Sequence, residues 1–142
     1  MEITFELKIP DKSLSPNSRS HWRVKQPHKV ASREEAETKA IAFISSWEAD
    51  NGEWVPTDKA TVQANFCFKD NRRRDKDNFG AMLKSVWDGL TRGGLWKDDS
   101  GITHLPVLFT TGVKNPRVEI TVYTDGSLPT GLSHKPVEDG DI

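Results

Sequence analysis

The chain of 142 residues holds a single cysteine, Cys67, so no disulfide forms within it. Cys67 lies in the apolar run Ala64-Asn65-Phe66-Cys67-Phe68 and reads as a small buried hydrophobe. No stretch of the sequence approaches the length of apolar residues that crosses a bilayer. No apolar leader stands at the N-terminus, which together with the lone thiol gives a cytoplasmic expectation. Internal repeats are absent. Acid is missing from one long stretch: between Lys12 and Arg33 there are six Lys or Arg and no Asp or Glu.

The length suits one compact domain with a hydrophobic core of its own. A net charge of −1 gives no hint of a nucleic-acid partner until its distribution is considered. Lys12, Arg19, Arg23, Lys25, Lys29 and Arg33 form one basic segment, and Lys69, Arg72, Arg73, Arg74 and Lys76 a second. The last eighteen residues, from Asp125, carry four acids and one lysine. The acidic end thus masks a slightly basic body whose positive charge is concentrated in two places.

Alternation of Ile3, Phe5, Leu7 and Ile9 with polar residues predicts a half-buried strand. Pro10 to Ser32 has no apolar period and reads as a long basic loop. Arg33 to Trp47 reads as a helix capped by Ser32, with Ala36, Ala40, Phe43, Ile44 and Trp47 on one face and Asn51-Gly52 at its end. Thr57 to Phe68 is a second strand, and Asp70 to Asp77 a polar connector. Asn78 to Leu90 is a second helix, stopped by Gly93 and Gly94. Leu105 to Val113 and Val118 to Tyr123 are expected to form a hairpin turned at Lys114-Asn115-Pro116-Arg117. The order β-α-β-α-β-β gives an α/β (α+β) class, a mixed sheet with two helices packed on it. Residues 1–124 form the domain, and 125–142 are expected to be an acidic disordered tail.

The chemistry concentrates in Arg72-Arg73-Arg74-Asp75-Lys76-Asp77-Asn78, followed by Asp98-Asp99. In an extended connector Asp75 and Asp77 share one side, where their charges repel unless a cation lies between them. Mg²⁺ suits such oxygen donors. Asp77 alone has a simpler role as a helix cap, which leaves Asp75, Asp98 and Asp99 unexplained. Stepping round the second helix from Asp77, Lys84 falls about 20° to one side and Asp88 about 20° to the other. Phe79, Met82, Leu83, Val86, Trp87 and Leu90 occupy the opposite half. Lys84 either binds a phosphate or forms an i,i+4 ion pair with Asp88. The arginines before the carboxylates would hold a phosphodiester against their repulsion. Trp47 and Trp87 take core phase. Trp22 either stacks on an unpaired base or packs the loop. His21, His28 and His104 lack metal-ligand spacing.

Arg-Arg-Arg-Asp-x-Asp-Asn, then Lys84-x-x-x-Asp88-Gly-Leu90, then Gly94-Leu95-Trp96-Lys97-Asp98-Asp99 resembles the RusA Holliday junction resolvases. Leu14-Ser15-Pro16-Asn17-Ser18-Arg19 is similar to the family's segment after its first strand. The resemblance covers residues 3–124. It implies a small α/β homodimer that makes paired, Mg²⁺-dependent nicks (Mn²⁺ being an alternative) in four-way DNA junctions, and an origin in a bacterium or phage. It implies metal binding and catalysis by Asp75, Asp77 and Asp99, with Lys84 as the essential lysine and Asn78, Asp88 and Asp98 in support. DNA contacts would come from Arg72, Arg73, Arg74, Lys76, Arg19, Arg23, Lys25 and Asn17. One departure concerns the step from Asp77 to Lys84, which is longer than in the best-known pattern. The roughly three extra residues turn the lysine by about −60° and carry it about 4.5 Å along a continuous helix. Two other classes fit parts of the pattern: a non-catalytic module that binds branched DNA, and a metal-dependent phosphohydrolase of small nucleotides.

Overall fold

A computed structural model describes residues 1–124; the expected acidic tail lies outside the described residues. The chain runs β1 (Glu2–Leu7), α1 (Trp22–Asn51), β2 (Ala60–Phe68), α2 (Lys76–Ala81), α3 (Lys84–Arg92), β3 (Ile102–His104), β4 (Leu108–Thr111) and β5 (Arg117–Thr124). Short 3-10 turns occupy Lys12–Leu14 and Asp99–Gly101.

The strands form one mixed sheet in the order β1-β5-β2, with β3 and β4 one after the other along the far edge of β2. β5 runs antiparallel to both β1 and β2, while β3 and β4 run parallel to β2. The mixed sheet with packed helices is as the sequence implies, but the hairpin is not. β4 and β5 lie on opposite sides of β2 and do not pair. β2 is apolar enough to be buried along most of its length, so it takes the middle and needs a partner on each edge. The strand expected over Leu105–Val113 is shortened to β4, and β3, which lies wholly before it, is additional; Pro106, which has no N–H to give, stands between the two. Its carbonyl instead accepts from the Gln63 side chain at 3.0 Å.

Ile3, Phe5 and Leu7 from β1, Val62, Ala64 and Phe66 from β2, and Val118, Ile120 and Val122 from β5 all point to one face and are buried. Helices α1 and α3 cover that face. They approach closely because Gly89 on α3 and Gly93, which caps its end, meet Ala36 and Ala40 on α1; a Cβ at Gly89 would stand 2.2 Å from the Arg33 carbonyl oxygen. The opposite face carries Glu6, Arg117 and Glu119, whose side chains form a surface ion-pair chain. Trp54 and Trp96 are buried, Trp47 and Trp87 only half-buried against the core. Cys67 is buried, as its apolar neighbours imply.

Two helix boundaries differ from the sequence reading. α1 begins at Trp22, capped by His21 Nδ1, which accepts from the Arg23 N–H at 3.1 Å. Residues 22–32 are therefore helix rather than loop, and Ser32 is an interior residue. Their lack of an apolar stripe and the proline at position 27 conceal a helix whose early turns stand in solvent. The second helix is two: Met82 and Leu83 break it between α2 and α3, Leu83 taking φ −90° and ψ 4°. No helix among the described residues is long and apolar enough to cross a membrane.

Candidate active site

The connector from β2 to α2 is shaped by Asp70. Its carboxylate accepts from the Arg72 backbone N–H at 3.0 Å and side chain at 3.2 Å, and from Arg74 at 2.8 Å. The backbone bond from Arg72 first, and the Arg74 guanidinium second, hold the Asp70 carboxyl below the usual carboxylate range. Arg74 also donates to the carbonyls of Asp70 and Arg72 and stacks 3.7 Å above the Phe68 ring. Its side chain is only 13% exposed. Of the three arginines, Arg73 alone projects freely, with no hydrogen bond or ion pair among the described residues.

This connector delivers Asp75 to the start of α2. Asp75, not Asp77, is the N-cap: its Oδ1 accepts from the Asp77 N–H at 2.9 Å. Asp77 occupies the first turn with its carboxylate exposed. Lys76 opens α2 and extends over the Phe109 ring at 5.6 Å, and Asn78 is half-buried behind it.

Asp98 and Asp99 sit at the 3-10 turn after α3. Asp98 caps it, accepting from the Ser100 N–H at 3.4 Å and hydroxyl at 3.1 Å. Hydrogen bonding with the Asp99 carboxyl, and then with Ser100, lowers the Asp98 carboxyl below its ordinary value. Gly101 lets this turn lie against the segment that leads into β2, since a Cβ there would stand 2.1 Å from the Asp58 carbonyl oxygen. An ion pair between Lys97 and Asp58 at 2.9 Å ties the same two segments.

Lys84 and Asp99, fifteen residues apart in sequence, line one cleft of about 440 Å³ with Lys25, Lys29 and Asp88. Its far wall is Leu14, Ser15 and Pro16, the segment after β1. Asp88 pairs with Arg92 at 3.4 Å and not with Lys84, which leaves the Lys84 ammonium with no ion pair among the described residues. Asp75 and Asp77 do not line this cleft. The angular steps that align Asp77 with Lys84 require one continuous helix, a condition that the break at Met82 and Leu83 does not meet.

Arg19, Arg23, Lys25 and Asn17 surround the exposed start of α1. Lys25 Nζ donates to the Ser18 carbonyl at 3.3 Å. Trp22 is 63% exposed beside them, with the Arg23 guanidinium 5.6 Å from its ring. Sequence reasoning missed two things here. It did not foresee Asp70 as the clasp of Arg72 and Arg74, though the i,i+2 and i,i+4 charge spacing was visible. Lys29 carries no such signal, because residues 10–32 lack an apolar period and the helical phase that Lys29 shares with Lys25 is hidden.

Among the described residues no three of His, Cys, Asp or Glu converge closely enough to hold a metal ion by themselves. The donors present are exposed carboxylates at the ends of short helical turns. That set fits Mg²⁺ in an open site, where one or two carboxylates suffice and waters and a substrate phosphate complete the shell. It does not fit a closed protein cage.

The family described as Endodeoxyribonuclease RusA matches residues 7–123 of the chain. Over 58 residues the chain is 36% identical to the crossover junction endodeoxyribonuclease RusA of Escherichia coli (strain K12). The same identity over the same length relates it to the proteins of that name from Shigella sonnei and from Enterobacteria phage 82. Each alignment covers 41% of this chain and 46% of the relative, so the match spans about half the length of these curated relatives.

Proposed function

This chain belongs to the RusA endodeoxyribonuclease family, and from that premise we propose that it hydrolyses phosphodiester bonds at DNA branch points, with the four-way junction as substrate. The observation that carries the reading is the cleft shared by Lys84 and Asp99. A carboxylate and a cation without an ion pair, brought together from separate elements, supply what a phosphodiesterase needs: an anchor for a metal and a grip on the phosphate.

Asp75 and Asp77 at the start of α2 and Asp99 in the cleft are proposed to draw together on Mg²⁺, or Mn²⁺ in its place, only when the ion and DNA are bound, since among the described residues the three do not converge by themselves. When bound, such an ion activates water and neutralises charge on the transferring phosphate. Lys84 binds a non-bridging phosphate oxygen and stabilises the charge that builds there. Asp98 sets the turn that presents Asp99, Asp88 lines the cleft, and Asn78 supports the start of α2. Arg72 and Arg74 act on the site through the connector they brace, which leaves Arg73 as its external phosphate contact. Lys76, Arg19, Arg23, Lys25 and Asn17 contribute further backbone contacts. Trp22, exposed at the head of α1, stacks on a base unpaired at the branch. A homodimer is part of the proposal, because two-fold related sites match the two-fold related strands of a junction.

The test is nicking of a labelled synthetic junction against a matched linear duplex, with and without divalent metal. Paired, metal-dependent nicks confined to the junction support the reading. Metal-independent binding with no nicking of junction, fork or flap substrates would instead make the chain a branch-binding module. Turnover of a chromogenic phosphodiester with intact junctions would make it a phosphohydrolase of small substrates.

A further inference from the structure

We propose that Lys25 and Lys29 join Lys84 to form a three-ammonium seat for one DNA backbone phosphate, placed beside Asp99 between the first turns of α1 and the start of α3. The inference rests on the proposed nuclease reading and deepens it by assigning two α1 side chains to the same cleft as the site lysine.

Residues 25 and 29 are one helical turn apart, so they present their side chains on the same face of α1. That face lines the cleft whose other side is Lys84 and Ser85. Three ammonium groups therefore border a space of about 440 Å³ that contains only two carboxylates, Asp88 and Asp99. Asp88 is already paired with Arg92. Lys29 and Lys84 have no hydrogen bond or ion pair among the described residues, and Lys25 is steadied by the Ser18 carbonyl. The cleft thus has a surplus of positive charge that nothing within the described residues satisfies.

The cations also stand where the helix gains nothing from them. The first turn of α1 contains no acid, while Arg23 and Lys25 lie at the end where the backbone dipole is positive. Charge of that sign at that end opposes helix stability and favours an incoming anion. A helical start with these features is better explained by a bound phosphodiester than by folding. The ligand is a singly charged phosphodiester, small enough for the cleft and linked on both sides to a strand that the basic rim can follow.

The experiment is a double-mutant cycle on the full chain in EDTA, so that binding is read without cleavage. Junction affinity is measured against KCl concentration for wild type, Lys29→Ala, Lys84→Ala and the double variant, with Lys25→Ala/Lys29→Ala added. Lys39→Ala, on α1 but outside the cleft, is the control, and thermal midpoints establish that each variant folds. If Lys29 and Lys84 share one phosphate, the double variant binds at least about threefold tighter than the product of the single losses. Lys25→Ala/Lys29→Ala then lowers the salt slope by about one or more, and Lys39→Ala leaves it unchanged. Strictly multiplicative losses, or a Lys39→Ala effect equal to that of Lys29→Ala, would overturn the seat and leave only diffuse surface charge.

A second arm separates this failure from that of the nuclease reading. Thymidylyl-thymidine, which has one phosphodiester, is titrated into the labelled wild-type protein. Saturable NMR shifts at Ser15, Lys25, Lys29 and Ser85 support the seat even if no junction is cut. Junction cleavage without those shifts and without the coupling would overturn the seat while sparing the nuclease reading.

Discussion

The Arg74 guanidinium lies 3.7 Å above the Phe68 ring and bonds to Asp70 at 2.8 Å, joining the end of β2 to the residue before Asp75. The planar head stacks on the ring and donates to a carboxylate and two carbonyls at once, a combination that an ammonium cannot reproduce. Arg74→Ala is expected to lower stability by about 1–2 kcal/mol in urea unfolding. Arg74→Lys should recover little of that loss. Both variants should reduce the turnover number more than junction affinity, since the connector positions Asp75.

Asp70 gives a pH test of the same clasp. Its folded carboxyl is held below the ordinary value of 3.8, so its contribution is present above that value and fades as pH falls through the lower folded one. Unfolding midpoints of wild type and Asp70→Asn should differ at neutral pH and converge on strong acidification. A gap that widens in acid would reverse the assigned sign.

Gly89→Ala is expected to destabilise by about 1–3 kcal/mol, because the new methyl meets the Arg33 carbonyl, which cannot turn aside. Gly80→Ala, whose nearest neighbour is the Val107 methyl at 3.2 Å, should be milder. Equal effects would show that α1 and α3 are free to separate.

Cys67 serves as a reporter of unfolding. Burial, and secondarily the Glu119 charge, push its thiol above the ordinary value of 9.0, so at neutral pH it remains protonated and shielded. Alkylation should be slow in native buffer and should accelerate in step with urea unfolding.

Much of the fold was legible because alternation is a local signal. Ile3, Phe5 and Leu7, and the alternate residues of β2, declare their faces from sequence alone. Strand partners depend on distant chain, and nothing around Lys114–Arg117 reveals that β5 passes to the other side of β2. The first turns of α1 were illegible for a different reason: a helix that buries no stripe there has no period to detect. At the site, the acids and arginines were readable as types and spacings. The division of labour among Arg72, Arg73 and Arg74 was not, since it depends on the position of Asp70 once the connector folds. The position of Lys84 depends on the break at Met82 and Leu83, two buried residues whose apolar phase suits a continuous helix and so gives no sign of it.

Metal removal should abolish cleavage without loosening the fold. The core of Phe66, Leu90, Trp96 and Ile120 contains no metal ligand, and the carboxylates concerned are exposed. EDTA should therefore leave the thermal midpoint unchanged within about 1 °C while nicking stops. A large fall in midpoint would assign the ion a structural role.

The most direct test of the nuclease assignment is cleavage of a labelled four-way junction by wild type and Asp75→Asn in Mg²⁺. Asparagine caps a helix about as well as aspartate, so the variant retains the bond to the Asp77 N–H and loses only the charge. Wild type should make paired nicks in the junction and none in linear duplex, and Asp75→Asn should bind the junction with undiminished affinity and cut it at least about a hundredfold more slowly. Undiminished cleavage by a folded Asp75→Asn variant would contradict the account.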